Sequence, residues 1–445
     1  VTKNLESSDL HQHYATHLGN VTKDNQIIAT GDIRNTAGVL VAAKNTRINQ
    51  QIAEKIARHK LLIPLEQQIA LEKTCKVEQE LFALPSHPEV KVLIENGVGV
   101  EQFQNHGKAL KYYPLLLQKL TVLKASYPEI YKKAVMGAYV ALLISLERNL
   151  DVKTSSNIFI ATLVRDIGLL HIEPKIVMGT GVLSAQDWLM LQGHVSIGYH
   201  YVRLENNIPN VIPRAIFEHH ERCDGFGYPK QKFEHQLSLE GQVVAFADSF
   251  IGMFYKYIFA LKYPFKALLP IMQFNAGAHG IENTDACIRL FGKLVKSYKR
   301  IHSNQELAVL SAKIPLRHKH INEWFVQAEI LNAGLSSVYS GAAIVRSTER
   351  ISWLRRLLTR SGIDDNRFVN WLKEVDFQSI SDKEVEEIEQ YALMLNEMSW
   401  HLNELRKVFS LIITHLQGPE EQVSEYKDIY RILKAMMGHF KADLL

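Results

Sequence analysis

Phe217-Glu218-His219-His220-Glu221-Arg222-Cys223-Asp224-Gly225-Phe226-Gly227-Tyr228-Pro229 decides how the rest of this chain is read. Two adjacent histidines at a helix end present two imidazoles to one centre. The Gly-x-Gly-Tyr-Pro that follows makes a tight turn, because glycine tolerates backbone angles closed to other residues. Such a loop brings backbone close to a ligand. Working outward, further chemistry-bearing residues sit in apolar, helix-patterned segments. Asp166 lies in Ala161-Thr162-Leu163-Val164-Arg165-Asp166-Ile167-Gly168-Leu169-Leu170. His194 follows Met190-Leu191-Gln192-Gly193, and Asp248 ends Val244-Ala245-Phe246-Ala247-Asp248.

Burying a carboxylate without a partner costs several kcal/mol. Asp166 and Asp248 therefore require a cation. Two readings satisfy them: a metal shared with the histidines, or a neighbouring Arg or backbone donor.

His-His-Glu-x-x-Asp-Gly-x-Gly-Tyr-Pro over 219–229 resembles the signature of the HD-GYP domain, a subgroup of the HD phosphohydrolases. The Arg165-Asp166 segment resembles its HD-x-GK motif. Leu183 to His194 resembles the next motif, and Ala245 to Asp248 its last ligand segment. The resemblance covers about 115–300. It implies an all-helical domain holding two or three iron or manganese ions, which hydrolyses the bacterial second messenger cyclic di-GMP with metal-activated water. It also implies a metal set of Asp166, His194, His219, His220 and Asp248, with Asp224, Gly225, Gly227, Tyr228 and Pro229 as the GYP loop. Lys262 and Lys266 resemble a basic segment that holds substrate phosphates.

The departures from that pattern cluster. Arg165 stands where the family has its HD histidine, and Leu169 replaces the lysine of GK. Counting back along the preceding helix puts Lys133 at the position of an earlier histidine ligand. No histidine occurs between His106 and His171. By the family's scheme one ion loses two ligands, while Asp166, His194, His219 and His220 remain for the other. The two replacements are cations, so Lys133 and Arg165 can supply the missing ion's charge beside Asp166 and Asp248. The expectation is one divalent ion of the iron or manganese class, no certain catalytic residue, and little or no hydrolysis. The alternative is an active cyclic di-GMP phosphodiesterase whose site is rebuilt with other ligands, such as His106 or His171. Glu129, four residues before Lys133, reads as its helical ion-pair partner. Glu221, Arg222 and Asp224 read as residues that fix the loop. His171 reads as structural.

The remaining features frame this site. The 47% hydrophobic and 22% charged shares exclude a mainly disordered chain. The net charge of +4 argues against a nucleic-acid partner. Three widely spaced cysteines, Cys75, Cys223 and Cys287, form no disulfide framework or zinc pattern. No leader and no membrane span are evident, the apolar run Val135–Leu146 being too short, so the expectation is a cytoplasmic protein. The expected fold is mainly α in three parts. A small α/β module occupies 1–114, with β-like runs at Ile27–Ala29 and Gly38–Ala42, a helix through Ile48, Ile52 and Ile56, and a solvated, frayed start around His11, His13 and His17. The HD-GYP-like domain occupies 115–300. A helical bundle occupies 301–445, where Ser381-Asp382-Lys383-Glu384 is a capping-box signature opening a long helix through Leu416, stopped by Gly418-Pro419. From Ser381 onward 12 Asp/Glu outnumber 7 Lys/Arg. These helices are expected to self-associate or dock a signalling protein such as a diguanylate cyclase.

Overall fold

In the computed structural model, residues 10–84, 91, 94–95, 97–179, 181, 183–293, 298–338, 342–416 and 431 are described. They are mainly helical, with a small β module near the N-terminus and a helical C-terminal extension, as the sequence patterns lead one to expect. The chain divides into two compact units. The first takes in residues 1–256 and 276–294, the second 257–275 and 295–445.

The first unit opens with α1 (Leu10–Val21). Here the expected frayed start is overturned. Tyr14, Ala15, Leu18 and Val21 repeat at one-turn spacing and are buried, and His17 is buried with them. Two antiparallel pairs follow: β1 (Ile27–Ala29) with β4 (Ile69–Leu71), and β2 (Ile33–Arg34) with β3 (Leu40–Ala42). Between them lies α2 (Gln50–Ala57), capped by the Asn49 side chain. The helices that build the site are α3 (Pro114–Ser126), α4 (Pro128–Glu147), α5 (Val152–Val164), α6 (Ala185–Gln192), α7 (His194–Val202), α8 (Val211–Glu218) and α9 (Leu239–Met253). Their caps are readable in sequence. Asp151 accepts from Lys153 and Thr154 N–H at the start of α5, and Ser184 from Asp187 N–H at the start of α6. Helix α4 is buried almost all round from Ala134 to Ser145, as is α5 from Asn157 to Val164. The segment Leu239–Ala260 is long and apolar enough to cross a membrane by length and composition. It is mostly buried, and its part up to Lys256, which carries Asp248, belongs to the core of this unit.

The second unit is built on α10 (Asn304–Val338), α11 (Ala342–Ser361) and α12 (Asp382–Leu416). Its core gathers Leu307, Ile314, Phe325, Leu354, Leu358 and, along α12, Val385, Ile388, Ala392, Leu395, Leu402, Leu405 and Phe409. The capping box forms: Ser381 N–H donates to Glu384 Oε2 at 2.8 Å, and Glu384 N–H to Ser381 Oγ at 3.3 Å. The Gly418-Pro419 stop lies outside the described residues. The apolar pattern of α12 drifts around Ser399 because polar residues are buried there. Glu397 accepts from the Tyr257 hydroxyl and the Asn275 amide, and His401 Nε2 meets Asn275 Oδ1 at 2.8 Å.

Candidate metal centre

Asp166 is the second residue past α5, after Arg165, and opens a 3₁₀ turn, Ile167–His171. That turn lies against α7 because two glycines allow it. A Cβ on Gly168 would collide with the His194 carbonyl oxygen, and Gly198 is the facing residue on α7. The close approach brings Asp166 beside the histidines. Its Oδ1 lies 3.8 Å from His194 Nε2 and 3.9 Å from His219 Nε2.

Three imidazoles form the centre. The ligand-capable atoms of His194, His219 and His220 all lie within 4.8 Å of one another. His194 Nδ1 is 2.6 Å from the Leu191 carbonyl and His219 Nδ1 is 2.6 Å from the Ile216 carbonyl. A carbonyl can only accept, so each Nδ1 carries the proton and each Nε2 is left with a bare lone pair. The two Nε2 atoms face each other at 3.2 Å. Two lone pairs at that distance repel, and a cation between them removes the repulsion. Burial, reinforced by the neighbouring His194, pushes His219 down to about 3. Burial lowers His194 and His220 too, keeping the ring nitrogens neutral and fit to ligate. His220 Nδ1 is 3.5 Å from Asp248 Oδ2, on α9. Imidazoles with nearby carboxylates make a donor set that can hold a divalent metal ion.

Arg165 occupies the other side. Its side chain is only 2% exposed. Nε lies 2.9 Å from Asp248 Oδ1 and 3.2 Å from Asp166 Oδ2, and Nη1 donates to the Thr162 carbonyl at 2.8 Å. Burial opposes the charged form of Asp166, but the Arg165 guanidinium outweighs it and holds the carboxyl below its usual range. At Asp248 burial wins over Arg165 and raises it. Space for the guanidinium comes from Gly137 on α4, where a Cβ would stand 2.9 Å from Arg165 Nη1. That seat was missed in the sequence, since a glycine inside a helix announces only that something comes close. Lys133, one turn earlier on α4, lies with Nζ 4.9 Å over the Tyr255 ring. The expected Glu129–Lys133 pair does not form. Glu129 pairs with Lys132 at 2.7 Å instead, leaving Lys133 to the ring.

The Gly-Tyr-Pro loop closes over the histidines. Tyr228 stacks on His220 with centroids 4.7 Å apart, and its N–H donates to the His220 carbonyl. Gly225 takes a positive φ of 79°. The loop is tied down by Arg222, whose Nε is 2.9 Å from Asp224 Oδ1, and by Glu221, which accepts from Lys230 and Lys232 N–H. Glu218, unremarked in the sequence, is fully buried. It accepts from Ser238 N–H and Oγ, Lys232 Nζ and Arg214 Nε, joining the end of α8 to the start of α9. The His219-His220 pair and Asp248 are thereby held by one carboxylate. Lys262 and Lys266 belong to the second unit, where Lys266 Nζ pairs with Glu386 at 2.8 Å.

Residues 120–281 match the family described as HD domain. This stretch, about a third of the chain, is similar to the HD domain and to segments of curated phosphodiesterases. Among similar proteins, a cyclic di-GMP phosphodiesterase of Thermotoga maritima is 27% identical over 139 residues, 31% of this chain and 38% of the relative. A 3'3'-cGAMP-specific phosphodiesterase of Vibrio cholerae is 32% identical over 91 residues, 20% of this chain and 17% of the relative. The matched stretch thus spans well under half the length of these relatives. A crystal structure of a cyclic GMP-AMP specific phosphodiesterase of V. cholerae aligns over 74% of this chain and 98% of its own, at 12% identity and a TM-score of 0.32.

Proposed function

We propose that this chain is a degenerate HD-GYP protein of cyclic di-GMP signalling, which binds one divalent ion and a cyclic dinucleotide with little or no hydrolysis. The observation that carries the reading is the Arg165 guanidinium set between Asp166 and Asp248. A fixed organic cation there balances both carboxylates but neither activates water nor accepts a phosphate oxygen as a ligand. His194, His219 and His220, with Asp166, would hold the single ion, which when bound supplies Lewis acidity toward a phosphate oxygen. The chain's own residues orient the rings through Leu191 and Ile216, exclude water with Tyr228, and hold Asp248 against Arg165. The C-terminal helices supply the surface for a signalling partner or for self-association.

The alternative is an active phosphodiesterase with a rearranged site, and it needs substitute ligands. His171 is poorly suited to that role, since its Nε2 is engaged at 2.6 Å by Lys119 Nζ. The His106 ring lies against Phe159. The test measures metal content of protein purified without chelator, cyclic di-GMP binding by calorimetry, and turnover with added Mn²⁺ or Fe²⁺. One ion per chain and dinucleotide binding without turnover is the expected result. Two ions with sustained hydrolysis would establish the enzyme instead.

A further inference from the structure

A second buried polar cluster lies in the first unit. Lys119 Nζ on α3 is 2.5 Å from Glu66 Oε1 and 2.6 Å from His171 Nε2, and all three residues are about 2% exposed or less. Aromatic rings enclose the ammonium: it stands 4.1 Å from the ring centroid of Tyr14 on α1 and 4.0 Å from that of Tyr201 on α7. His171 lies between the same two rings, stacked at 5.3 Å on Tyr14 and 3.9 Å on Tyr201. The polar satisfaction is incomplete, for Glu66 Oε2 is buried and accepts no hydrogen bond. Replacing a buried ion pair with apolar residues is often neutral or stabilising, and an orphan oxygen adds further cost. Stability alone therefore does not account for this cluster.

Its connections do. Glu66 lies in the short 3₁₀ turn Leu65–Gln68, which runs directly into β4. His171 ends the turn that Asp166 begins. Tyr201 shares α7 with His194. The cluster thus touches the N-terminal sheet on one side and both the Asp166 turn and the His194 helix on the other. We propose that Glu66, Lys119 and His171 are positioning residues that couple the N-terminal module to the metal centre, so that a ligand or partner moving β4 retunes Asp166 and His194. The proposal rests on the reading of Asp166 and the three histidines as a metal site. With the pair intact, Lys119 holds His171 from below and the Asp166 turn is anchored at both ends, by Gly168 and by His171.

The test uses the full chain with Glu66→Gln and with the double variant Glu66→Gln/Lys119→Met, which removes both charges and keeps apolar volume. Circular dichroism verifies folding. Mn²⁺ titration should show at least a fivefold loss of affinity in the double variant, with a changed electron paramagnetic resonance spectrum of the bound ion. Unchanged affinity and spectrum in a folded double variant overturn the coupling. Independently of metal, ring signals of His194 and His219 in histidine-labelled, metal-free protein should shift in both variants, and unmoved signals overturn the proposal. If the wild-type chain binds no Mn²⁺ while the variants show those shifts, the metal reading is refuted and the coupling stands.

Discussion

Replacing Arg165 with alanine is the most direct challenge to the charge balance described above. The guanidinium makes two carboxylate contacts, at 2.9 and 3.2 Å, and one bond to the Thr162 carbonyl. Removing one partner of a buried ion pair costs about 3–5 kcal/mol. Asp166 and Asp248 retain 13% and 24% side-chain exposure, so water recovers part of that. The expected loss is about 3–4 kcal/mol, which for a unit of this size lowers the melting midpoint by roughly 6–16 °C. Differential scanning fluorimetry and urea titration measure it. Arg165→Met separates charge from volume and should lose nearly as much, while Arg165→Lys should fall between. Manganese should raise the midpoint of the alanine variant more than that of wild type, because the freed carboxylates gain a cation that binds the native state. A midpoint for Arg165→Ala within about 2 °C of wild type would show that the carboxylates need no cation there, and the stand-in argument would be refuted.

Two further outcomes follow from the same geometry. Gly168→Ala drives a Cβ into the His194 carbonyl and within 2.8 Å of Gly198 N, so it should cost about 2–3 kcal/mol, whereas Gly137→Ala meets only side chains, Arg165 Nη1 at 2.9 Å and Thr162 Cγ2 at 3.4 Å, and should cost about 1–2; reversed magnitudes in urea unfolding would contradict the assigned contacts. Burial, aided by His13, pushes His17 down to about 4, and burial, aided by Arg222, pushes His279 down to about 3. The unfolded chain therefore takes up these two protons near pH 6.5 while the folded chain resists, so stability is lost as pH falls from about 6.5 toward 4.5, by about 2 kcal/mol for each group. His17→Gln should flatten the urea-midpoint profile between pH 7 and 4.5, and an unchanged slope would place the acid sensitivity elsewhere.

The sequence by itself was enough for the helical class, the β module and the C-terminal helices, and it singled out the three histidines that the fold brings together. These are local signals: apolar periodicity, capping residues such as Ser381 and Asp151, and a motif whose spacing is set by a single helix end and loop. It also singled out Arg165 and Lys133 as cations that could serve the two aspartates, but it treated them alike. Only the tertiary structure separated them, sending Arg165 between two aspartates and Lys133 over Tyr255. The reason is Gly137, whose missing Cβ opens a seat that no linear pattern specifies. The buried α1 and the Glu66–Lys119–His171 cluster escaped for a similar reason. A polar residue in an apolar stretch signals that it needs a partner, but the identity of that partner depends on which distant segments the packing brings within about 3 Å.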